Sequence, residues 1–301
     1  MCRRDKARAT TGISEPARSA TRGRARVHAT GPRGARRPAR ATETIVTCAS
    51  QFRWTSAART DVGLVRERNE DACLSRPERG LWVVADGMGG HAVGDYASNL
   101  VVETLDRLGE PRSLEGLLDD ARAALLEVNR ALLAEATRRQ VRRIGSTVVV
   151  LMACERFCGC LWAGDSRIYL YRDAHLTQLT RDHSRVEELK ARGLITAEEA
   201  LHHPAHNTIT RAVGANASLE LEQTWMEAAD GDMFLLCSDG ISNELRDPEI
   251  AGFLACGDCE LAAQALVTAA LERGGHDNIS AVVARAEDLY ANDKTMVNPA
   301  L

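Results

Sequence analysis

A chain of 301 residues, 45% hydrophobic and 27% charged, can bury a full core in one large domain or two. Its formal net charge of −4 hides two segments: residues 1–40 hold 12 Lys and Arg against Asp5 and Glu15, leaving 26 basic and 40 acidic residues for the remainder. No stretch reaches the roughly 18 continuous apolar residues of a membrane span and no signal-peptide core is present, so neither a membrane nor nucleic acid is expected as the partner of the acidic body.

In chain order, residues 1–48 are rich in Arg, Ala, Thr, Gly and Pro and lack apolar periodicity. They cannot offset their ordering entropy by burial, so they read as a disordered basic tail. A nucleic-acid or anionic-surface tail, a targeting peptide and a kinase-docking arm are competing roles, beside no role at all. Strands are expected at Phe52–Ala58, Ala72–Ser75 and Leu81–Ala85. Helical spacing follows at Asp95–Leu108 and at Leu114–Thr137, with Ser113 as N-cap of the second. Close-set apolar runs at Thr147–Ala153, Phe157–Ala163, Ile168–Tyr171 and Leu176–Leu179 predict consecutive antiparallel strands. Ser184–Asn207 is more polar and helix-like, broken at Gly193, with a capping box at Thr196-Ala-Glu-Glu199. A strand at Met233–Cys237, helices near Pro248–Leu254 and Glu260–Glu272, and a last strand at Ile279–Arg285 complete the pattern. Helices paired between groups of antiparallel strands favour two packed sheets with helices outside. Nine cysteines, an odd number with several in strand-like runs, suit reduced buried thiols. Cys256-Gly-Asp-Cys259 lacks the further ligands of a zinc site and reads as a plain loop.

The chemistry lies in the acids. Glu70 and Asp71 close R-E-R-N-E-D, Asp86 opens D-G-M-G-G-H, and Asp165 lies in A-G-D-S-R. Asp239 lies in C-S-D-G, and Asp277 in H-D-N-I-S. Each sits at the end of a strand-like run, so they can converge in space. Converging carboxylates repel unless a cation sits among them, and hard oxygen ligands suit Mg²⁺ or Mn²⁺. Any one Asp-Gly pair alone would read as a tight turn.

These motifs and their order resemble the metal-dependent serine/threonine protein phosphatases of type 2C, in their bacterial form, from about Trp54 to Ala286. The resemblance implies an α+β fold: an α-β-β-α sandwich of two mainly antiparallel sheets flanked by helices. The phosphatase domain would span 49–288 with a small flap at about 184–207, and a disordered tail would follow at 289–301. It implies two Mn²⁺ or Mg²⁺ ions that activate a hydroxide to hydrolyse phosphoserine and phosphothreonine. Asp86 would bridge the ions with the Gly87 carbonyl, Asp239 and Asp277 would hold the other side, and Glu70 and Asp71 would hold metal waters. Asp165 would help hold a third, weaker ion, and Asn278 would orient Asp277 or a metal water. Arg66 matches the phosphate-binding arginine, with Arg68 as its rival; Arg66 and Asp71 count as catalytic. Met88 stands where many eukaryotic members have a proton-donating histidine, which leaves His91 and His183 as the nearest candidates, each read as structural. His202, His203 and His206 read as flap surface. The expected partners are phosphorylated proteins and an opposing serine/threonine kinase in the cytoplasm. The alternatives are a phosphatase of anti-sigma-factor antagonists and a catalytically dead phosphoprotein binder.

Overall fold

The computed structural model describes residues 51–89, 93–109, 113–201, 203–205 and 207–290. The expected basic tail at 1–48 lies outside the described residues, as do 291–301, His91, His202 and His206. The strands are β1 (Phe52–Asp61), β2 (Asp71–Arg76), β3 (Leu81–Met88), β4 (Gly145–Ser146), β5 (Val148–Cys154), β6 (Phe157–Ala163), β7 (Arg167–Arg172), β8 (His175–Gln178), β9 (Glu222–Glu227), β10 (Met233–Cys237) and β11 (Ile279–Asp288). The helices are α1 (Gly94–Asp106), α2 (Leu114–Arg139), α3 (Arg185–Ala191), α4 (Ala197–Leu201), α5 (Asp239–Ser242), α6 (Asp247–Leu254) and α7 (Cys259–Glu272).

One sheet runs β1-β11-β10-β7-β8 and the other β2-β3-β5-β6-β9, with β4 paired to β3. All of these pairings are antiparallel. Their inner faces share one core, in which the Trp54 ring lies 4.9 Å from Trp82 and 5.9 Å from Phe234. A second core joins α1 and α2 to the outer face of the β2-to-β9 sheet. A third joins α5, α6 and α7 to the outer face of the other sheet. Strands covered on both faces must be apolar throughout, which is why β5 is buried at every position. The layers are therefore helix, sheet, sheet, helix, as expected.

Three features depart from the expected pattern. The strand β9 was not foreseen, because E-Q-T-W-M-E carries polar residues on both faces; it is an edge strand with alternating half-buried and exposed positions. Leu289, expected in a free tail, still donates its N–H to the Gln51 carbonyl at 3.1 Å. Cys154 is disulfide-bonded, against the expectation of reduced thiols. Cys73, Cys158, Cys160, Cys237, Cys256 and Cys259 are free, and burial pushes Cys160 and Cys237 up to about 12, which makes both inert.

The inter-sheet core rests on few large side chains, since aromatics form 4% of the chain. Phe234→Ala, at a fully buried position, should lower unfolding free energy by about 3–5 kcal/mol in denaturant titration. A loss under about 1 kcal/mol would show that the core collapses around the cavity.

Candidate active site

Strand topology brings the acids together. Asp71 begins β2 and pairs directly with Asp86 near the end of β3. Asp239 begins α5, just past the end of β10, and Asp277 lies two residues before β11; β10 and β11 are antiparallel neighbours. Asp165 lies in the turn from β6 to β7, where the chain crosses between sheets. All five therefore lie at one end of the sandwich. Their proximity shows electrostatically: burial pushes the Asp86 carboxyl well above its usual range, and the charges of Asp71, Asp239, Asp165 and Asp277 add to it. Burial first, then neighbouring carboxylates, raises Asp71 and Asp165 to about 7 and Asp239 to about 6.

Neutral groups hold these acids in place. The Ser238 hydroxyl donates to Asp71 Oδ2 at 2.8 Å and accepts the Ser280 N–H at 3.0 Å, tying the two sheets together at the site. The Asp86 N–H donates to Thr147 Oγ1 at 3.0 Å, and Thr147 Oγ1 lies 2.7 Å from Ser166 Oγ, beside Asp165. Sequence reasoning missed Ser238 and Thr147. The one available signal was position, since Ser238 directly precedes Asp239 and Thr147 opens an apolar run.

Asn278 spends its whole amide on one loop. Its Nδ2 donates to the Val62 and Arg68 carbonyls at 2.9 and 2.8 Å, and its Oδ1 accepts the Glu70 N–H at 2.8 Å. Its side chain thus fixes the segment carrying Arg66 and Glu70, while its backbone N–H donates to Asp277 Oδ1 at 2.9 Å. Within that segment Arg66 faces the acids: Nη2 donates to Asp277 Oδ2 at 2.7 Å. That bond, with the nearby charges of Asp277, Asp239 and Asp86, raises the guanidinium pKa further. Arg68 contributes its carbonyl to Asn278, so Arg66 is the arginine directed at the site.

The glycines after Asp86 and Asp239 have a packing role. A Cβ on Gly87 would lie 2.0 Å from the Gly94 carbonyl oxygen, and one on Gly240 2.0 Å from the Asn278 oxygen. Close backbone approach is what both glycines permit, and it is to neighbouring chain. Glu70 lies over the start of α1, its carboxyl carbon 2.5 Å from where a Gly94 Cβ would be.

His183 is a tie and not a free proton donor. It is buried, accepts the Gly164 N–H at Nδ1 at 3.1 Å, pairs with Glu222 at 3.2 Å and stacks on Trp162. Burial, then Arg211, lowers its pKa. It joins the Asp165 turn to the base of the 184–207 segment. That segment folds as α3 and α4, with the Thr196–Glu199 capping box formed by bonds of 2.8 and 3.1 Å. The His203 imidazole accepts the Ala205 N–H at 3.1 Å. The segment walls a cavity of about 920 Å³ whose lining includes Arg66, Asp165, Asp239 and Asp277.

The donor set suits a hard divalent cation. It is all oxygen, and Asp71 Oδ1 and Asp165 Oδ1 are buried without a hydrogen-bond partner. Among the described residues, no three Asp, Glu, His or Cys side chains are grouped as ligands of one ion in this arrangement. Arg66 engages Asp277 instead.

The raised carboxyl values carry a sign. Each folded-state value lies above the ordinary 3.8, so the contribution to stability is full below about pH 4 and lost as pH rises through 6 to 7. In chelator, Asp86→Asn should therefore gain about 1–3 kcal/mol over the unaltered chain at pH 8 and little at pH 4. A gain that is the same at both pH values would show that the carboxylates do not repel one another.

A protein phosphatase 2C family model matches residues 65–275. The serine/threonine protein phosphatase PstP of Mycobacterium tuberculosis is 39% identical over 233 residues, 77% of this chain and 45% of that protein. The chain thus spans under half the length of that curated relative. Among solved structures, PppA, described as a key regulatory component of T6SS in Pseudomonas aeruginosa, superposes with a TM-score of 0.73 at 45% identity, covering 77% of this chain and 97% of that one. The catalytic domain of PstP in complex with two manganese ions gives a TM-score of 0.72 at 37% identity, covering 79% and 100%.

Proposed function

The chain belongs to the protein phosphatase 2C family, and from that premise we propose that it is a metal-dependent phosphatase acting on phosphoserine and phosphothreonine in proteins. The observation that carries the reading is the meeting of Asp71, Asp86, Asp165, Asp239 and Asp277 with Arg66 at one end of the sandwich. Asp86, the Gly87 carbonyl, Asp239 and Asp277 would hold a pair of Mn²⁺ or Mg²⁺ ions, with Glu70 and Asp71 as further ligands or as holders of coordinated water. Asp165, with one oxygen unpartnered, would help hold a third, weaker ion. Bound there, the ions would supply Lewis acidity toward the phosphoryl oxygens and a nucleophile of lowered pKa.

The protein's own groups do the rest. Arg66 presents a permanently charged fork to the phosphoryl oxygens, and it lies within reach of the acids because Asn278 fixes its loop. Ser238 and Thr147 hold the acids' orientation without adding charge. The 184–207 segment walls the cavity and limits which protein surfaces reach it. None of the acids is replaced, so a catalytically dead binder has no support. The partners are phosphorylated proteins and the kinase that modifies them, with the cytoplasm as their setting. No helix among the described residues is long and apolar enough to cross a membrane.

Hydrolysis of a phosphothreonine peptide should require Mn²⁺ or Mg²⁺ and stop in excess EDTA; full activity in chelator would end the metal-dependent reading. Asp239→Ala should lose at least about 100-fold in kcat while the far-ultraviolet circular dichroism stays unchanged. Arg66→Ala should raise KM more than it lowers kcat, if a guanidinium that pairs with Asp277 in the free enzyme holds the phosphate in the ground state. An unchanged KM would remove Arg66 from the phosphate site.

A further inference from the structure

The cavity beside the acids has a charge inventory that singles out one residue. Most cations lining it are engaged by a carboxylate: Arg66 by Asp277, Arg167 by Asp182, Lys190 by Glu187, Arg273 by Glu249 and His276 by Glu244. Arg246, also in the lining, is exposed and forms no ion pair of its own among the described residues, although its charge helps lower the Glu249 carboxyl that Arg273 already holds. Its neighbour Asp247 lines the same cavity but forms no ion pair with it.

Arg246 also stands where local structure disfavours it. It is the N-cap of α6, in extended conformation (φ −86°, ψ 154°). Its N–H donates to Glu249 Oε2 at 3.0 Å, half of a capping box. A guanidinium has no acceptor to offer for the other half, and the Glu249 N–H is met by the Arg246 carbonyl at 2.9 Å instead. A cation at this end also opposes the helix dipole, which Asp247 and Glu249 in the first turn otherwise suit. A Ser, Thr, Asp or Asn would serve the helix better. A residue that breaks the local preference, carries a charge without an ion pair of its own and lines the reaction cavity fits a binding role.

We propose that Arg246 forms an anion subsite for the polypeptide substrate, taking a carboxylate or a second phosphate that flanks the scissile phosphoresidue. The subsite rests on the phosphatase reading and refines it. A guanidinium matches either anion through paired hydrogen bonds, and Arg246 lines the same cavity as Arg66. The mutually engaged cations of the lining would have to break an ion pair to do the same.

The test compares kcat/KM, with Mn²⁺ present, for three phosphothreonine peptides of one sequence: neutral, with Glu residues a few positions away, and with a second phosphothreonine in the same place. The unaltered enzyme should favour the two anionic peptides by about three- to tenfold. Arg246→Ser should bring both ratios close to one, and Arg246→Lys should restore part of the preference. If only one anionic peptide is favoured, and Arg246→Ser removes that preference, the subsite stands with that anion as its ligand. Arg246→Ser should also raise the thermal midpoint in chelator by about 2–4 °C, because it puts a hydroxyl acceptor at the cap and removes a cation from this end of the helix. Equal rates on all three peptides, or a preference that survives Arg246→Ser, overturn the subsite and leave the phosphatase reading intact. A midpoint that does not rise overturns the claim that Arg246 is held against the preference of its helix, and the proposal with it. No hydrolysis of any peptide overturns the subsite together with the reading beneath it.

Discussion

Mutual repulsion among buried carboxylates is the constraint on which this structure turns. Asp86 is surrounded by Asp71, Asp165, Asp239 and Asp277, and each neighbour makes its ionised form harder to sustain. Left alone, such a cluster would splay toward water. It stays together because its members are mounted on strand ends whose positions are set by two packed sheets, far more firmly than loops alone could set them. The stability of the sandwich is therefore partly spent on keeping like charges close, and a divalent ion is the natural relief.

The supports around the cluster share one chemical property: they are neutral. Ser238, Ser280, Thr147 and Asn278 supply hydrogen bonds and no charge. A lysine in place of any of them would quench the field that attracts a cation. Arg66 is the exception, and its cation is used at the rim, where it pairs with Asp277 at 2.7 Å. Charge inside the site is thus reserved for the groups that meet ion or phosphate, while orientation is left to dipoles.

The sequence made the cluster legible because strand ends are marked twice, by the close of an apolar run and by an Asp-Gly or Asp-Asn pair. Leu81–Ala85 followed by Asp86-Gly87, and Phe234–Cys237 followed by Ser238-Asp239-Gly240, are plain in this way. What stayed hidden depends on contacts distant in the chain. Glu222–Glu227 did not read as a strand because an edge position exempts it from apolar alternation. Asn278 read as an orienter of Asp277, yet its amide reaches back more than 200 residues to Val62 and Arg68. The crowding that keeps Gly87 a glycine comes from Gly94, which no local pattern announces. The choice between Arg66 and Arg68 needed the orientation of a loop whose backbone follows no regular period.

The aromatic layer of Trp54, Trp82 and Phe234 has a consequence beyond holding the sheets together. Asp86 belongs to one sheet, while Asp239 and Asp277 flank strands of the other, so the gap between sheets is also the gap across the acids. These rings act as a feeler gauge between two plates. Tuning of the site for a larger or smaller ion can then arise in the core, through the thickness of that layer, with every carboxylate unchanged. Two descendants of this chain with identical acid motifs could thus differ in the ion they prefer, and the cause would lie among indoles and a phenyl ring that touch neither ion nor phosphate.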